Sequence, residues 1–456
     1  MKSINPFNNK LIQEYIEHSI SDVDSIINDV NKEWLDWKST SFTNRSKLMM
    51  RAGEILRSES RKFAKLITSE MGKVISQSLA EIEKCAALCD YYAEHTQQIL
   101  NDEIIETDAK KSFASFEPLG CIFAIMPWNF PFWQVFRFAV PNLIAGNAAI
   151  LKHAPNVCGC SLAIEKIFQK AGFPKNIFRS LIIPVETVER VIASDLVAGV
   201  TLTGSAKAGS IVASQAGKYL KKSVLELGGS DPFIVLKDAD LKKACRAGTD
   251  SRLLNAGQVC ISAKRFIIKE EIAEEFIENQ KSLFENYKVG DPMKKETEMG
   301  PIARLDLLEN INHQVQKSIE MGAKLICGGE IIEREGFFYQ PTILTNVKKG
   351  MPVYDEETFG PVSVIIPVKN VEEAIKVAND TIYGLGASIW TSDLSRGEAI
   401  ARKIEAGAVF VNGMTKSDAR MPFGGIKKSG YGRELASYGI KEFLNIKTIW
   451  IGGDFS

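Results

Sequence analysis

The 456-residue chain has no excess of charge of either sign: 56 Lys plus Arg stand against 56 Asp plus Glu. A balanced surface lacks the broad field that draws a protein to nucleic acid or to an anionic membrane. Histidine is scarce. His18, His95, His153 and His313 make up the whole set, no two at ligand spacing, and no metal is assigned. No apolar run approaches the ~20 residues of a membrane span, and the opening MKSINPFNNKLIQEY holds no stretch like a secretory core. The eight cysteines are scattered without the spacing of a disulfide framework, and Cys158-Gly-Cys160 is too tight for a usual zinc pair. These absences predict a reduced, cytoplasmic protein whose partner is a small molecule, with no nucleic acid and no membrane.

What is present is an ordinary globular composition, 45% apolar and 25% charged, on a chain longer than one hydrophobic core usually serves. From Ser21 to about Gln98, apolar residues recur at three- and four-residue steps (Val23, Ile26, Ile27, Val30; then Leu48, Met49, Ala52, Ile55, Leu56), with a break at Met71-Gly72-Lys73. That period predicts helices. Residues 101–118 alternate loosely and predict paired strands at the margin of the helical part. From Gly120 the pattern becomes strand, helix, strand: CIFAIM, PFWQVFRFAVPNLIAG, AAILKHA, SLAIEKIFQKAG, IFRSLII, VAGVTLTG, then a helix from about Ala206 to Leu220. The same alternation runs from about Asp231 to Arg433, and the tail EFLNIKTIWIGG reads as a last strand able to pair with the 101–118 arm.

The expected fold is therefore α/β, with two doubly wound α/β domains, a Rossmann-like cofactor domain and a catalytic domain, plus a small β oligomerisation arm. The boundaries are 1–100 and 119–228 for the cofactor domain, 229–432 for the catalytic domain, and 101–118 with 433–456 for the arm.

Candidate chemistry gathers at SRLLNAGQVCISAKR, residues 251–265. Gly257 lets the backbone bend just ahead of Cys260, so a thiol can sit at a turn. Glu226, in SVLELGGSDP, lies among apolar and small residues, where a carboxylate can serve as a base. Asn129, in IMPWNFP, offers an amide. Nucleophile, base and oxyanion donor are the three groups that acyl chemistry requires. The turn in VTLTGSAKAGSIVA, with Gly204, Ser205 and Gly209, opens a helix whose N–H groups favour phosphate oxygens. It spaces its glycines like a Walker A loop but has Ser210 where that loop has lysine. Lys152, at the end of the AAIL strand, is a further candidate for holding ribose or phosphate, and DEETFGPV offers another acid, Glu357.

Taken in order, PWNFP, the strand-end Lys152, TGS, LELGG, GQVC, EETFGP and PFGGIKKSG span about three hundred residues, and together they resemble the aldehyde dehydrogenase superfamily. PWNFPFWQVFRF and the KHA after the strand look like its bacterial succinate-semialdehyde dehydrogenase branch. The resemblance implies Cys260 as nucleophile, Glu226 as the base that activates water, and Asn129 as the oxyanion donor. It implies NAD or NADP as cofactor, held by Trp128, Lys152, Gly204, Ser205, Glu357 and Phe359. It also implies an aldehyde tunnel with Arg137, Trp133, Phe132 and Phe423 as substrate-binding residues, and assembly as a homodimer or homotetramer. Arg137 either grips a distal carboxylate, packs its stem on apolar surface with its head in water, or pairs with a distant acid.

Two departures from the family matter. Many NAD-using relatives carry glutamate three residues after the lysine; here Pro155 leaves the choice between NAD and NADP open. Ser262 stands where some semialdehyde dehydrogenases have a second cysteine, so a disulfide switch there is not expected. Other aliphatic or amino aldehydes are the alternative substrates, and a non-catalytic homologue is the alternative from another class.

Overall fold

The structure is a computed structural model, and it describes residues 1–452. The predicted helical run resolves into four helices, Ile20–Trp37, Phe42–Ser58, Ser60–Met71 and Ile75–Ile99. The first begins in a capping box, Ser19 and Asp22 each satisfying the other's backbone N–H, and buries Val23, Ile26, Ile27 and Val30 along one face. Ahead of it lies a hairpin, Lys2–Asn5 with Lys10–Glu14, that the sequence pattern did not announce. Most of its second strand is exposed, so it carries no apolar alternation to read.

The first large sheet has six strands in the order 430–431, 222–226, 197–203, 121–126, 148–153, 178–180. Every neighbour is parallel except the added Gly430–Tyr431 pair. The order turns back on itself between Cys121–Met126 and Val197–Thr203. Ligands of doubly wound sheets sit beyond the carboxyl ends of strands at such a switch point. Here those ends run into Pro127-Trp128-Asn129 and Gly204-Ser205. The helix Trp133–Ala145 is buried on all sides, as its nearly unbroken apolar sequence requires. Of the expected IFRSLII strand only Phe178–Ser180 pairs.

The second sheet has seven strands in the order 324–327, 342–345, 362–368, 263–269, 231–235, 386–390, 408–411, parallel except at the first pair. In a third, antiparallel sheet, Leu444–Ile451 pairs along the whole of Lys111–Pro118, which also takes Glu103–Ile104.

The expected boundary at 432 is not where the packing divides. Gly430–Tyr431 joins the first sheet beside Glu226 and Leu225, and Phe423, Leu435, Ile440 and Phe443 pack in the first core. The crossing depends on Gly430 (φ +109°), where a Cβ would run into the carbonyl of Leu225. Only the last strand of the expected 433–456 segment belongs to the arm, and residues 453–456 lie outside those described.

Candidate active site

The helix Leu241–Leu253 ends in a tight turn, Leu254–Gly257, in which Asn255, Ala256 and Gly257 all take positive φ (52°, 54° and 74°). Left-handed backbone at two non-glycine residues costs energy and persists only where the surroundings hold it. Here they do. Arg252 Nη2 donates to the Gly257 carbonyl (2.5 Å), and Asn255 Nδ2 donates to the Asn129 carbonyl (2.9 Å). The Asn255 N–H donates to Gln77 Oε1 (2.9 Å), and Gln258 Oε1 accepts the Ala303 N–H (2.9 Å). Beyond the thiol, Lys264 Nζ donates to the carbonyls of Val259 (3.1 Å) and Cys260 (2.7 Å). Cys260 is thus presented on a loop fixed from five directions. The sequence located the bend at Gly257, but Arg252, Asn255 and Gln258 escaped it, because Asn255 and Gln258 act through partners distant in the chain and Arg252 folds back on a carbonyl of its own turn.

Cys260 is half-buried and forms part of the wall of two cavities. The larger, about 420 Å³, lies at the switch point and is lined by Trp128, Asn129, Gly204, Ser205, Glu357 and Phe359 among others. The smaller, about 250 Å³, runs between Trp133, Arg137, Phe130 and Phe423. Cys260 and Gln134 are the two residues common to both, and the buried Gln134 Oε1 has no partner. Asn129 Nδ2 donates one hydrogen to the Gln258 carbonyl (3.0 Å), which leaves the second for an oxygen in the cavity. Burial pushes the Cys260 thiol up to about 11, against the opposing pull of Arg137 and Lys264.

The larger cavity lies beyond the strand ends at the switch point, the place where this class of sheet holds a dinucleotide. Glu357 reaches its wall while accepting the Gly229 N–H (3.0 Å); burial raises its carboxyl, and Lys264 opposes the rise. Trp128 meets the Phe359 ring edge-on at 5.8 Å. Ser205 caps the helix Ala206–Lys218, its side chain accepting from the Ala208 N–H. The Gly204 N–H is not free for phosphate as expected: it donates to the Glu226 carbonyl (2.9 Å) and closes the strand pair. Lys152 does not line this cavity. It sits one strand over, on 148–153 opposite Ile125, and is buried; that burial lowers its ammonium. Four residues on, the buried Asn156 side chain has neither polar atom partnered, an orphan pair that suits the hydroxyls or phosphate of a bound ligand.

Glu226 ends the strand Lys222–Glu226 and is 2% exposed, with neither carboxylate oxygen hydrogen-bonded. Its carboxyl lines neither cavity but lies toward Glu434 and Arg137. Burial, then the Glu434 charge, hold it well above the usual carboxylate range, while Arg137 and Arg433 pull it down. Arg137 is 2% exposed. Its Nε forms an ion pair with Glu434, Nη2 lies 3.4 Å from Thr203 Oγ1, and the guanidinium sits 4.6 Å from the Phe423 ring centroid. The structure pairs Arg137 with a distant acid, Glu434, and also places it in the wall of the smaller cavity. Phe132 does not reach the tunnel. It is fully buried, stacked against Phe136 and tilted on Phe63, because position 132 precedes the helix and points to the other side from Trp133. Among the described residues no cluster of His, Cys, Asp or Glu could hold a metal, and no helix is long and apolar enough to cross a membrane.

A thiol, an amide donor, a buried carboxylic acid and a cleft at the switch point define acyl chemistry beside a nucleotide site, and the comparisons with known proteins agree. The model of the aldehyde dehydrogenase family matches residues 1–449. A Synechocystis protein named as a probable NADP(+) succinate-semialdehyde dehydrogenase is 48% identical, the match covering 98% of this chain and 99% of that one. The Escherichia coli NAD(P)+ succinate semialdehyde dehydrogenase Sad is 45% identical over 98% of this chain and 97% of its own. The crystal structure of succinic semialdehyde dehydrogenase from Streptococcus pyogenes in complex with NADP+ superposes with a TM-score of 0.97 at 37% identity, covering 99% of this chain and 100% of that one. With the family model matching nearly its whole length and these relatives aligned along almost all of it, the chain belongs to the aldehyde dehydrogenase family.

Proposed function

We propose that the protein oxidises an aldehyde carrying a distal carboxylate, succinate semialdehyde, to the dicarboxylic acid, with NAD or NADP as hydride acceptor. The observation that carries this reading is the position of Cys260. One thiol is reached from a nucleotide-sized cavity on one side and from a tunnel with basic side chains on the other.

Cys260 Sγ, as thiolate, adds to the aldehyde carbon. The oxygen takes up the negative charge and is held by the free Asn129 N–H, whose other hydrogen fixes the amide on Gln258. A nicotinamide cofactor in the larger cavity would be held by Ser205, Glu357 and Phe359, with Lys152 and Asn156 beyond, and would supply the hydride acceptor. What remains on Cys260 is a thioester. Glu226 then has to swing from the Glu434 side toward the thioester and take a proton from water. The hydroxide adds to the acyl carbon, and its collapse releases the acid and the thiolate. Burial and the Glu434 charge raise the Glu226 carboxyl at rest, and rotation away from Glu434 removes the second of these, which favours the carboxylate that acts as the base.

Without an acid at position 155, a 2′-phosphate meets no like charge there, which supports use of NADP as well as NAD. The names of the Synechocystis and Escherichia coli relatives point the same way. Basic residues in the tunnel favour an acidic aldehyde over an amino aldehyde. The exposed Ile104, Ile105, Ile446 and Ile451 of the three-stranded arm support a homodimer or homotetramer covering that sheet.

The test is Glu226→Gln with succinate semialdehyde and NADP in a stopped-flow mixer. One equivalent of reduced cofactor per site in a burst, then a stall with the acyl mass retained on the protein, is the expected trace. Loss of burst and steady state in equal proportion refutes the assignment of Glu226 to the hydrolytic half.

A further inference from the structure

The charges around the smaller cavity do not balance equally. Arg137 is paired with Glu434. Glu81 is paired with Lys73 and also accepts the N–H groups of Phe132 (2.8 Å) and Trp133 (3.0 Å). Asp418 is paired with Arg420, whose Nε and Nη2 donate to its two oxygens at 2.8 and 2.7 Å. Lys416 is exposed at the rim. That leaves Lys84, on the helix Ile75–Ile99, half-buried and lining the same cavity as Cys260. Its ammonium lies 4.1 Å from the Trp133 ring centroid and donates to Ser417 Oγ at 2.7 Å. Neither contact neutralises it, and an ammonium has three donors.

We propose that Lys84, with Ser417, is the specificity-determining anchor for the carboxylate of the substrate, and that Arg137 contributes donors to this end of the tunnel without net charge. This rests on the reading that the substrate is a carboxylate-bearing aldehyde. A buried cation without a counter-ion is held at a cost, and an incoming carboxylate removes that cost while forming a charge-assisted bond. A neutral aldehyde does neither. The groups facing the ammonium agree: burial, then Arg137, lower it to about 8, while Glu81 and Cys85 on its own helix and Asp418 on the opposite loop pull the other way. Lys84 therefore carries its charge near neutrality and loses it in the mildly alkaline range.

The experiment compares kcat/KM for succinate semialdehyde and for its neutral methyl ester, in wild type, Lys84→Met and Lys84→Arg. Wild type is expected to prefer the acid. Lys84→Met should lose about ten- to a hundredfold on the acid, mostly in KM, and change little on the ester, whose retained rate certifies the fold. Lys84→Arg should recover part of the loss. The ratio of the two kcat/KM values cancels the ionisation of the thiol and of Glu226. In wild type it should be flat below pH 7 and fall about tenfold per unit above the lysine pKa of about 8, whereas in Lys84→Arg it should stay flat. Parallel losses on both substrates, or a ratio that ignores pH in wild type, overturn the role of Lys84 while the acid preference stands. A wild type with no preference for the acid overturns the substrate reading itself.

Discussion

Glu434 stands beside both the tunnel arginine and Glu226, the proposed hydrolytic base, and replacing it by glutamine removes one negative charge from each environment at once. The Arg137 guanidinium is buried, and among the described residues its ion-pair partner is Glu434 alone. Breaking such a pair from one side leaves an uncompensated buried charge and costs about 3–5 kcal/mol. Replacing both partners by groups without charge costs far less, because no ion is stranded. Glu434→Gln should therefore move the urea midpoint of the unit built on the first sheet sharply down, and Arg137→Met in the same chain should restore most of it. The coupling between the two changes should exceed ~2 kcal/mol, well beyond the few tenths of independent sites. The second consequence is chemical. With Glu434 neutral, one of the two influences that raise Glu226 disappears, and Arg137 and Arg433, which lower it, are opposed by burial alone. Glu226 then ionises at lower pH. The acid limb of deacylation, followed by single-turnover decay of the acyl-enzyme against pH, should shift toward acid in Glu434→Gln. Additive stability losses, or a deacylation profile that stays in place, would refute the reasoning.

Two further outcomes follow from the geometry of the thiol loop. With the thiol at about 11, the rate of iodoacetamide alkylation of Cys260 should climb about tenfold per pH unit from pH 7 to 10; a plateau by pH 8 would mean that the thiolate is already formed at rest. Asn129→Ala should lower kcat by about a hundred- to a thousandfold with little change in KM, measured as the initial burst rate, and a loss confined to KM would remove Asn129 from the transition state.

Much of this was legible in the sequence because it rests on periodicity and on local punctuation. The strand–helix alternation from Gly120 onward gave both sheets, since parallel strands buried on two faces read as continuous apolar runs such as CIFAIM and AAILKH. Cys260, Asn129 and Glu357 were found because each stands at a turn after a recognisable element. Lys84, Glu434 and Gln134 were not. Lys84 looks like any solvated helical lysine, and only the packing of its helix beside Trp133 and the 412–418 loop shows that its ammonium points into a cavity. Phe132 fails for the converse reason. An aromatic beside PWNFP reads as a tunnel residue, whereas the Glu81 carboxylate accepting the Phe132 and Trp133 N–H groups fixes a helix start that turns one ring inward to the core and the next toward the tunnel.

The return of residues 423–444 to the first core explains why the late glycine motif belongs to catalysis at all. The nucleophile loop leads into the second sheet, whereas Asn129 and Glu226 are carried by the first. Two rigid units could slide, and a shift of about 1 Å at the thiol is enough to cost about a hundredfold in rate. The crossing segment opposes this. Ile426–Lys427 pairs with Tyr383–Gly384, Gly430–Tyr431 then pairs with Glu226 and Leu225, and Glu434 completes the charge of Arg137. From the other side, the Arg265 guanidinium on the strand Ala263–Lys269 holds the carbonyls of Ser230, Val377 and Ala378. A loop that merely covered a cleft could tolerate polar replacement along its length. A strap that finishes one sheet, supplies the counter-ion of the tunnel and sets the ionisation of the base cannot, and its glycines are there because Gly430 must pass against the Leu225 carbonyl to make that connection.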